Sequence, residues 1–227
     1  MTAAAPCEAL AAAALALARS FHRGATLWCW SPALPSHGRH LAVEFVHPVI
    51  VGKRALPALA VGPGHAVEDL RRSVRPGDVL AVVGRGDDAE ILDVARRAPA
   101  WGLDVLWLAT GESPGGDTGA RVVGLGPDAD DADVVCAYHL LWELAHVCFE
   151  HPGVLDVPPD DPSSCPACAD AGDVGEVERP GVHDATVLIE GVARSVDLTL
   201  VGPCDVGDLV VVHAGVAITK LVGAGRG

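Results

Sequence analysis

The chain has 227 residues, half of them apolar, with 16 lysines and arginines against 30 aspartates and glutamates and a formal charge of −14. That length suits two domains better than one. The acidic balance excludes a nucleic-acid binder, which needs a basic footprint, and it disfavours contact with an anionic membrane surface. Seven cysteines, an odd number in a chain of ordinary size, do not read as a secreted disulfide framework. The alanine-leucine stretch 9–18 is too short to span a bilayer and follows no basic residue, unlike a signal peptide. A protein of the cytoplasm, with its thiols reduced, is the expectation.

In chain order, an alanine-rich helix is expected over 4–20 and an apolar strand over 26–30, followed by the punctuated loop SPALPSHG. A helical pattern over 39–46 is stopped by Pro48. A second strand falls at 56–61, and 69–73 closes another helical stretch. After the RPGD turn come a buried-type strand at 79–83, a helix at 88–97, a strand at 104–108, a weaker strand at 121–125 and a helix at 131–150. Strands alternating with helices imply a parallel sheet between helical layers. Residues 151–164, HPGVLDVPPDDPSS, hold four prolines and no helical period, so they read as a linker. Beyond it, β-branched runs at 186–189, 195–201 and 209–214, with turns at Glu190-Gly191 and 206–208, describe a small all-β unit. The expected organisation is an α/β domain at 1–150, the linker at 151–164 and a β-barrel at 165–222.

The string SVDLTLVGPCDVGDLVVVHAGVAITKL, 195–221, closely resembles the core of the HypC/HupF hydrogenase-formation chaperones, most specifically in VDLTLVG and VGDLVVVHAGVAI. The resemblance covers roughly 165–221. It implies an OB-like barrel that carries iron bearing cyanide and carbon monoxide ligands, an Fe(CN)2CO fragment. It also implies two partners, a HypD-type scaffold protein and the large subunit of a nickel–iron hydrogenase. His213 falls on the family histidine, and Gly215, Ala217 and Ile218 complete its motif. The family cysteine sits at the start of the chain; here its equivalent is internal, in SSCPACADAGDVGEV, where Cys165 and Cys168 form a CxxC. A low-valent iron with strong-field ligands is soft and suits thiolate. One thiolate with one imidazole holds a fragment without the closed cage of a structural zinc site. Cys204, after a Gly-Pro turn, is expected to be a packing residue.

Residues 5–150 resemble the SIS sugar-isomerase fold, phosphoheptose-isomerase branch, in the order of GATLWCWSPALPSHGRHLAVEF, RALPALAV and GDVLAVVGRGDDAEILDVARRAPAWGLDVLWL. The fold implied is a three-layer, Rossmann-like α/β domain that pairs into a homo-oligomer. Such proteins cradle a sugar phosphate on glycine and serine loops at helix N-termini. Here the loops read SPALPS and GRGDDAE: Pro32 and Pro35 remove donors, and Asp87 and Asp88 repel a phosphate that Arg85 alone does not restore. The phosphosugar site is therefore expected to be degenerate. Some isomerases of this branch bind a divalent ion with a His-x3-Glu on the first helix. His40 and Glu44 keep that spacing, His139 falls on a later family histidine and Asp131 on a glutamine ligand, a set suited to zinc or another divalent ion. On the last helix Val134, Ala137, Tyr138, Leu141, Leu144, Ala145 and Cys148 mark an apolar seam. His139, Glu143, His146 and Glu150 fall together on another face, which also reads as an ordinary solvated stripe.

The expected function is a non-catalytic metallochaperone for hydrogenase assembly. The alternative is a sugar-phosphate isomerase-type enzyme, or a phosphosugar-binding regulator, with a fused barrel.

Overall fold

The computed structural model describes residues 4–62, 64, 66–115, 118–156 and 172–221. The first part comprises α1 (Ala4–His22), β1 (Leu27–Trp30), α2 (Pro35–Val46), β2 (Ala58–Ala60), α3 (Ala66–Ser73), β3 (Val79–Arg85), α4 (Ala89–Arg97), β4 (Asp104–Thr110), β5 (Arg121–Gly126) and α5 (Asp131–Glu150). The five strands form one parallel sheet in the order β2-β1-β3-β4-β5. Parallel strands covered on both faces are apolar at every position, and β3 and β4 show this. Val79, Ala81, Val83, Leu106 and Leu108 face α1, α2 and α5. Leu80, Val82, Val105, Trp107 and Ala109 face α3, α4 and the 3-10 turn Ala98–Trp101. The α/β/α sandwich is thus the expected fold class.

The RPGD turn fastens one end of this sheet. The Asp78 carboxylate, 5% exposed, accepts the backbone N–H groups of Arg75 at 2.9 Å and Thr26 at 2.8 Å and the Trp28 indole N–H at 3.1 Å. One buried charge thereby aligns the starts of β1 and β3. By length and hydropathy α5 is the one described helix apolar enough to cross a membrane. Its apolar face (Val134, Ala137, Tyr138, Leu141, Trp142, Ala145) is nevertheless packed in the core, and a capping box from Asp130 and Asp133 starts it.

α2 begins at Pro35 rather than at 39, because proline is tolerated in a first helical turn, where its missing N–H has no intrahelical use. His146 corrects the expected polar stripe on α5. It is 2% exposed, its ring lies 4.4 Å from that of Trp142, and its two nitrogens face the Trp142 and Arg54 carbonyl oxygens at 2.8 and 3.1 Å. The helical turn that carries it is covered by the loop 47–57, which reaches back across α5.

That loop is also held by charge. Lys53 Nζ lies 2.7 Å from Glu150 and 3.6 Å from Glu143, and the Arg54 guanidinium sits 5.0 Å over the Phe149 ring. The hydrogen bond to Glu150 holds the Lys53 ammonium above its ordinary range, and Lys53 in turn holds the Glu150 carboxyl below its own. A depressed carboxyl stabilises the folded state above its unfolded value and loses that contribution as pH falls through the folded one. A raised ammonium contributes below its unfolded value and loses it as pH rises through the folded one. Hydrogen-exchange protection of 47–57, corrected for intrinsic rates, is therefore expected to hold between about pH 5 and 10 and to fall on either side. Lys53→Met should flatten the acid limb; an unchanged limb would refute the clasp.

The C-terminal part is a closed barrel, β10-β8-β7-β6-β9, built from β6 (Asp173–Pro180), β7 (Asp184–Ile189), β8 (Val192–Asp197), β9 (Leu209–His213) and β10 (Val216–Leu221). Alternate residues Val177, Val187, Ile189, Val196, Val210, Val212 and Ala217 fill it. The expected strand 195–201 ends at Asp197, because Leu198–Gly202 turns back on itself with Gly202 N–H on the Leu198 oxygen at 2.8 Å.

The barrel sits on the α/β domain through a buried acid. Glu176 on β6 is 2% exposed and lies among Trp101 Nε1 at 2.6 Å, Arg97 Nη1 at 3.0 Å and Arg71 Nε at 3.4 Å. The β7–β8 turn docks beside it, with Gly191 N–H on the Ala100 oxygen at 2.8 Å. Gly191 has φ +74, and a Cβ there would stand 2.4 Å from Pro76 Cγ and 2.9 Å from the Trp101 oxygen, so both conformation and space require glycine.

Candidate metal sites

α2 turns Leu41, Ala42 and Phe45 into the core, which leaves His40 and Glu44 along its outer edge, one turn apart. α5 packs beside it and brings up His139. His40 Nε2 is 3.1 Å and His139 Nε2 is 3.5 Å from Glu44 Oε1, and one donor atom of each residue lies within 4.8 Å of the others. The side chains are 42%, 44% and 18% exposed for His40, His139 and Glu44, so the cluster opens to solvent. Two imidazoles and a carboxylate are the donor chemistry of a zinc-type divalent ion, and the residues fit such an ion.

Asp131, expected with this set, stands apart from it. Its carboxylate, 79% exposed, lies 3.6 Å from His37 Nε2. Neither His37 nor the hydroxyl of Tyr138 belongs to the ligand set that the sequence suggests. His37 continues the His40–Glu44 stripe one turn back, a spacing that could have flagged it. By spacing Tyr138 belongs to an apolar seam. Its ring is fully buried there, yet its hydroxyl reaches His40 Nδ1 at 2.7 Å. Burial, with the Glu44 charge second, pushes the phenol up, so it stays neutral. With Nδ1 engaged by Tyr138, Nε2 is the nitrogen directed at Glu44 and His139. Outer partners of this kind orient a ligating imidazole. Tyr138→Phe keeps the packing and removes that bond. It is expected to weaken zinc binding by about 10- to 100-fold in competition with a chromophoric chelator; unchanged affinity would count against the assignment.

In the barrel, His213 is the exposed last residue of β9. Ala214 and Gly215 follow at φ 49 and 83, a two-residue hairpin turn of the primed type, and Val216 pairs back with His213. Gly215 thus serves the turn, Ala217 is fully buried, and Ile218 is half exposed beside them. Asp173, the first residue of β6, pairs with Val212, the neighbour of His213. Cys204 is buried at 6% exposure, as expected of a packing residue. Cys165 and Cys168 lie outside the described residues.

The loops of the α/β domain satisfy their own charges. Arg85 holds Asp87 through two bonds of 2.8 Å, which raises the guanidinium and lowers the carboxyl from their ordinary ranges. Asp88 caps α4, accepting the N–H groups of Glu90 at 2.9 Å and Ile91 at 3.2 Å. A side-chain carboxylate therefore occupies the amide donors that a phosphate would use at a helix N-terminus.

Comparison with known proteins agrees with this division. The HupF/HypC family model matches residues 169–224. A phosphoheptose isomerase from Francisella tularensis superposes with a TM-score of 0.52 at 16% identity, over 66% of this chain and 85% of that one. One from Neisseria gonorrhoeae gives 0.49 at 17% identity, over 63% and 86%. No curated protein matches the chain. At such identities the structural likeness shows the fold alone. The C-terminal barrel matches the HupF/HypC family model, and the N-terminal domain has the SIS fold. The class to which the barrel points, in general terms, is that of the hydrogenase-maturation chaperones.

Proposed function

We propose that the chain is a cytoplasmic, non-catalytic metallochaperone. Its barrel carries an Fe(CN)2CO fragment between a HypD-type scaffold protein and a nickel–iron hydrogenase large subunit, and its SIS-fold domain holds the barrel and pairs with a second copy. The family match over 169–224 carries this reading. The barrel's geometry supports it. His213 is exposed at the end of β9 where Val212 pairs with Asp173, and Cys168 is five residues before Asp173 in sequence. A thiolate, from Cys165 or Cys168, and His213 together suit a soft iron that must be released again. The isomerase alternative is disfavoured by the Asp88 cap, which occupies amide donors at the N-terminus of α4, and by the Arg85–Asp87 pair, which engages the loop's arginine. The His40–Glu44–His139 cluster supports a second role for the SIS-fold domain, as the holder of a zinc-type ion.

The test is anaerobic reconstitution of the chain with the scaffold protein and iron, followed by infrared spectroscopy of the separated chain. Cyanide and carbonyl stretching bands that travel with the chain are expected. A chain that leaves the scaffold without them is not an iron carrier.

A further inference from the structure

The seating of the barrel leaves a cleft of about 600 Å³ between the two domains. Residues 76–77, 99, 102–104 and 119 form its α/β wall, and residues 172–174 with Glu190 form its barrel wall. Among the described residues its lining has no aromatic, hydroxyl, amide or basic side chain. What it offers is main chain, through Gly77, Gly102, Gly119 and Gly172, and three acidic residues, Asp104, Asp173 and Glu190. The three acids are exposed, and among the described residues none of them forms an ion pair. Arg121 shares a smaller cleft with Asp104 on the α1 side and does not line this one. Glu190 stands at φ 48 in the two-residue turn between Ile189 and Val192, where asparagine or glycine is the usual choice. A glutamate there costs some stability and puts an acid on the cleft.

We propose that this cleft is a docking site for an extended, basic segment of a partner protein, seated between the α/β domain and the barrel. Charge complementarity decides the occupant. Three carboxylates without a cation, in a chain of net charge −14, attract lysine and arginine and turn acidic chains away. Glycine walls let a second main chain approach closely, which larger side chains would prevent. The lining has no ring to stack on a base or a sugar and no cation to hold a phosphate. The barrel wall includes the start of β6, where Asp173 pairs with Val212 next to His213, so the occupant is held beside the strands that present His213. The site goes beyond iron carriage and does not depend on it.

A fluorescent peptide of alternating lysine and valine, titrated into the iron-free full chain and read by anisotropy, provides the test. Saturable binding of one peptide per chain is expected, and none of the matching glutamate–valine peptide. Asp104→Asn on one wall and Glu190→Asn on the other should each weaken binding by about two- to fivefold, the scale of one accessible ion pair, and the double variant should lose both factors. Glu8→Gln removes an exposed charge from α1, away from the cleft, and should leave the affinity unchanged. Glu190→Asn carries a second readout, because asparagine suits the left-handed turn: its urea midpoint should rise while its affinity falls. An equal loss in Glu8→Gln would mean that the acidic surface as a whole attracts the peptide, and would overturn the site. Absent binding, or an affinity that ignores Asp104→Asn and Glu190→Asn, would overturn it as well. Displacement of the peptide by equimolar spermidine would replace the peptide reading with a small-cation site.

Discussion

Glu176→Ala is expected to lower the unfolding free energy by about 3–5 kcal/mol, the usual cost of removing one partner from a buried ion cluster. The carboxylate is 2% exposed and collects the Trp101 indole N–H at 2.6 Å, Arg97 at 3.0 Å and Arg71 at 3.4 Å. Burial pulls the Arg97 guanidinium down, and its bonds to Asp93 and Glu176 more than reverse this, so it remains firmly charged. Deleting Glu176 leaves that charge half-buried with only Asp93 and the Gly207 oxygen, and leaves the indole N–H without its acceptor. Glu176→Gln keeps an acceptor oxygen and should cost less, about 1–2 kcal/mol. Urea unfolding measures both, and a rise in radius by small-angle scattering for Glu176→Ala would show the barrel leaving the α/β domain. A loss below about 1 kcal/mol would mean that water already screens the cluster.

The consequence reaches the barrel's working end. Glu176 pairs with Leu209 at one end of the β6–β9 ladder, while Asp173 pairs with Val212 beside His213 at the other. Fixing Glu176 to α4 and the turn before β4 therefore fixes how the α/β domain presents the His213 end. The barrel is seated on this domain, with Gly191 keyed against Pro76 and Trp101, so it keeps one orientation there. A Cβ at Gly191 would work against the same contact from the other side.

The sheet was legible in the sequence because burial on both faces leaves a local mark: 79–83 and 104–108 are unbroken apolar runs between turn signals. The barrel was legible through its motif, and the structure gives much of that motif a physical reason. Gly215 serves a hairpin turn, Ala217 fills the core, and the Asp197 carboxylate, which the Thr199 contacts hold below its ordinary range, shapes the turn after β8. What escaped depends on distant partners. Nothing near Glu176 in sequence announces Arg97 or Trp101, 79 and 75 residues away. His146 has the spacing of a surface stripe, but the loop 47–57 crosses it and buries it. Asp131 has the position of a ligand, yet His37, on another helix, engages it. Spacing along one helix shows which face a side chain is on; a second element decides what it meets.

The largest functional effect is expected at the CxxC. Cys165→Ser/Cys168→Ser should abolish the cyanide and carbonyl bands on the isolated chain, since serine offers a hard oxygen in place of a soft thiolate. The single substitutions separate the two sulfurs. The one that holds the iron should lose the bands by itself, and the other should retain them. Cys168 is the nearer in sequence to Asp173, the first residue of β6, so Cys168→Ser is expected to match the double variant. His213→Ala removes the imidazole while leaving the Ala214–Gly215 turn, and should weaken retention of the fragment without preventing its first capture by thiolate. Stability supplies the control. Urea midpoints that match wild type would show that the loss is not one of folding. If the bands persist in the double variant, the iron is held elsewhere; the surviving SIS-fold cluster would then be tested by His40→Ala in the same background.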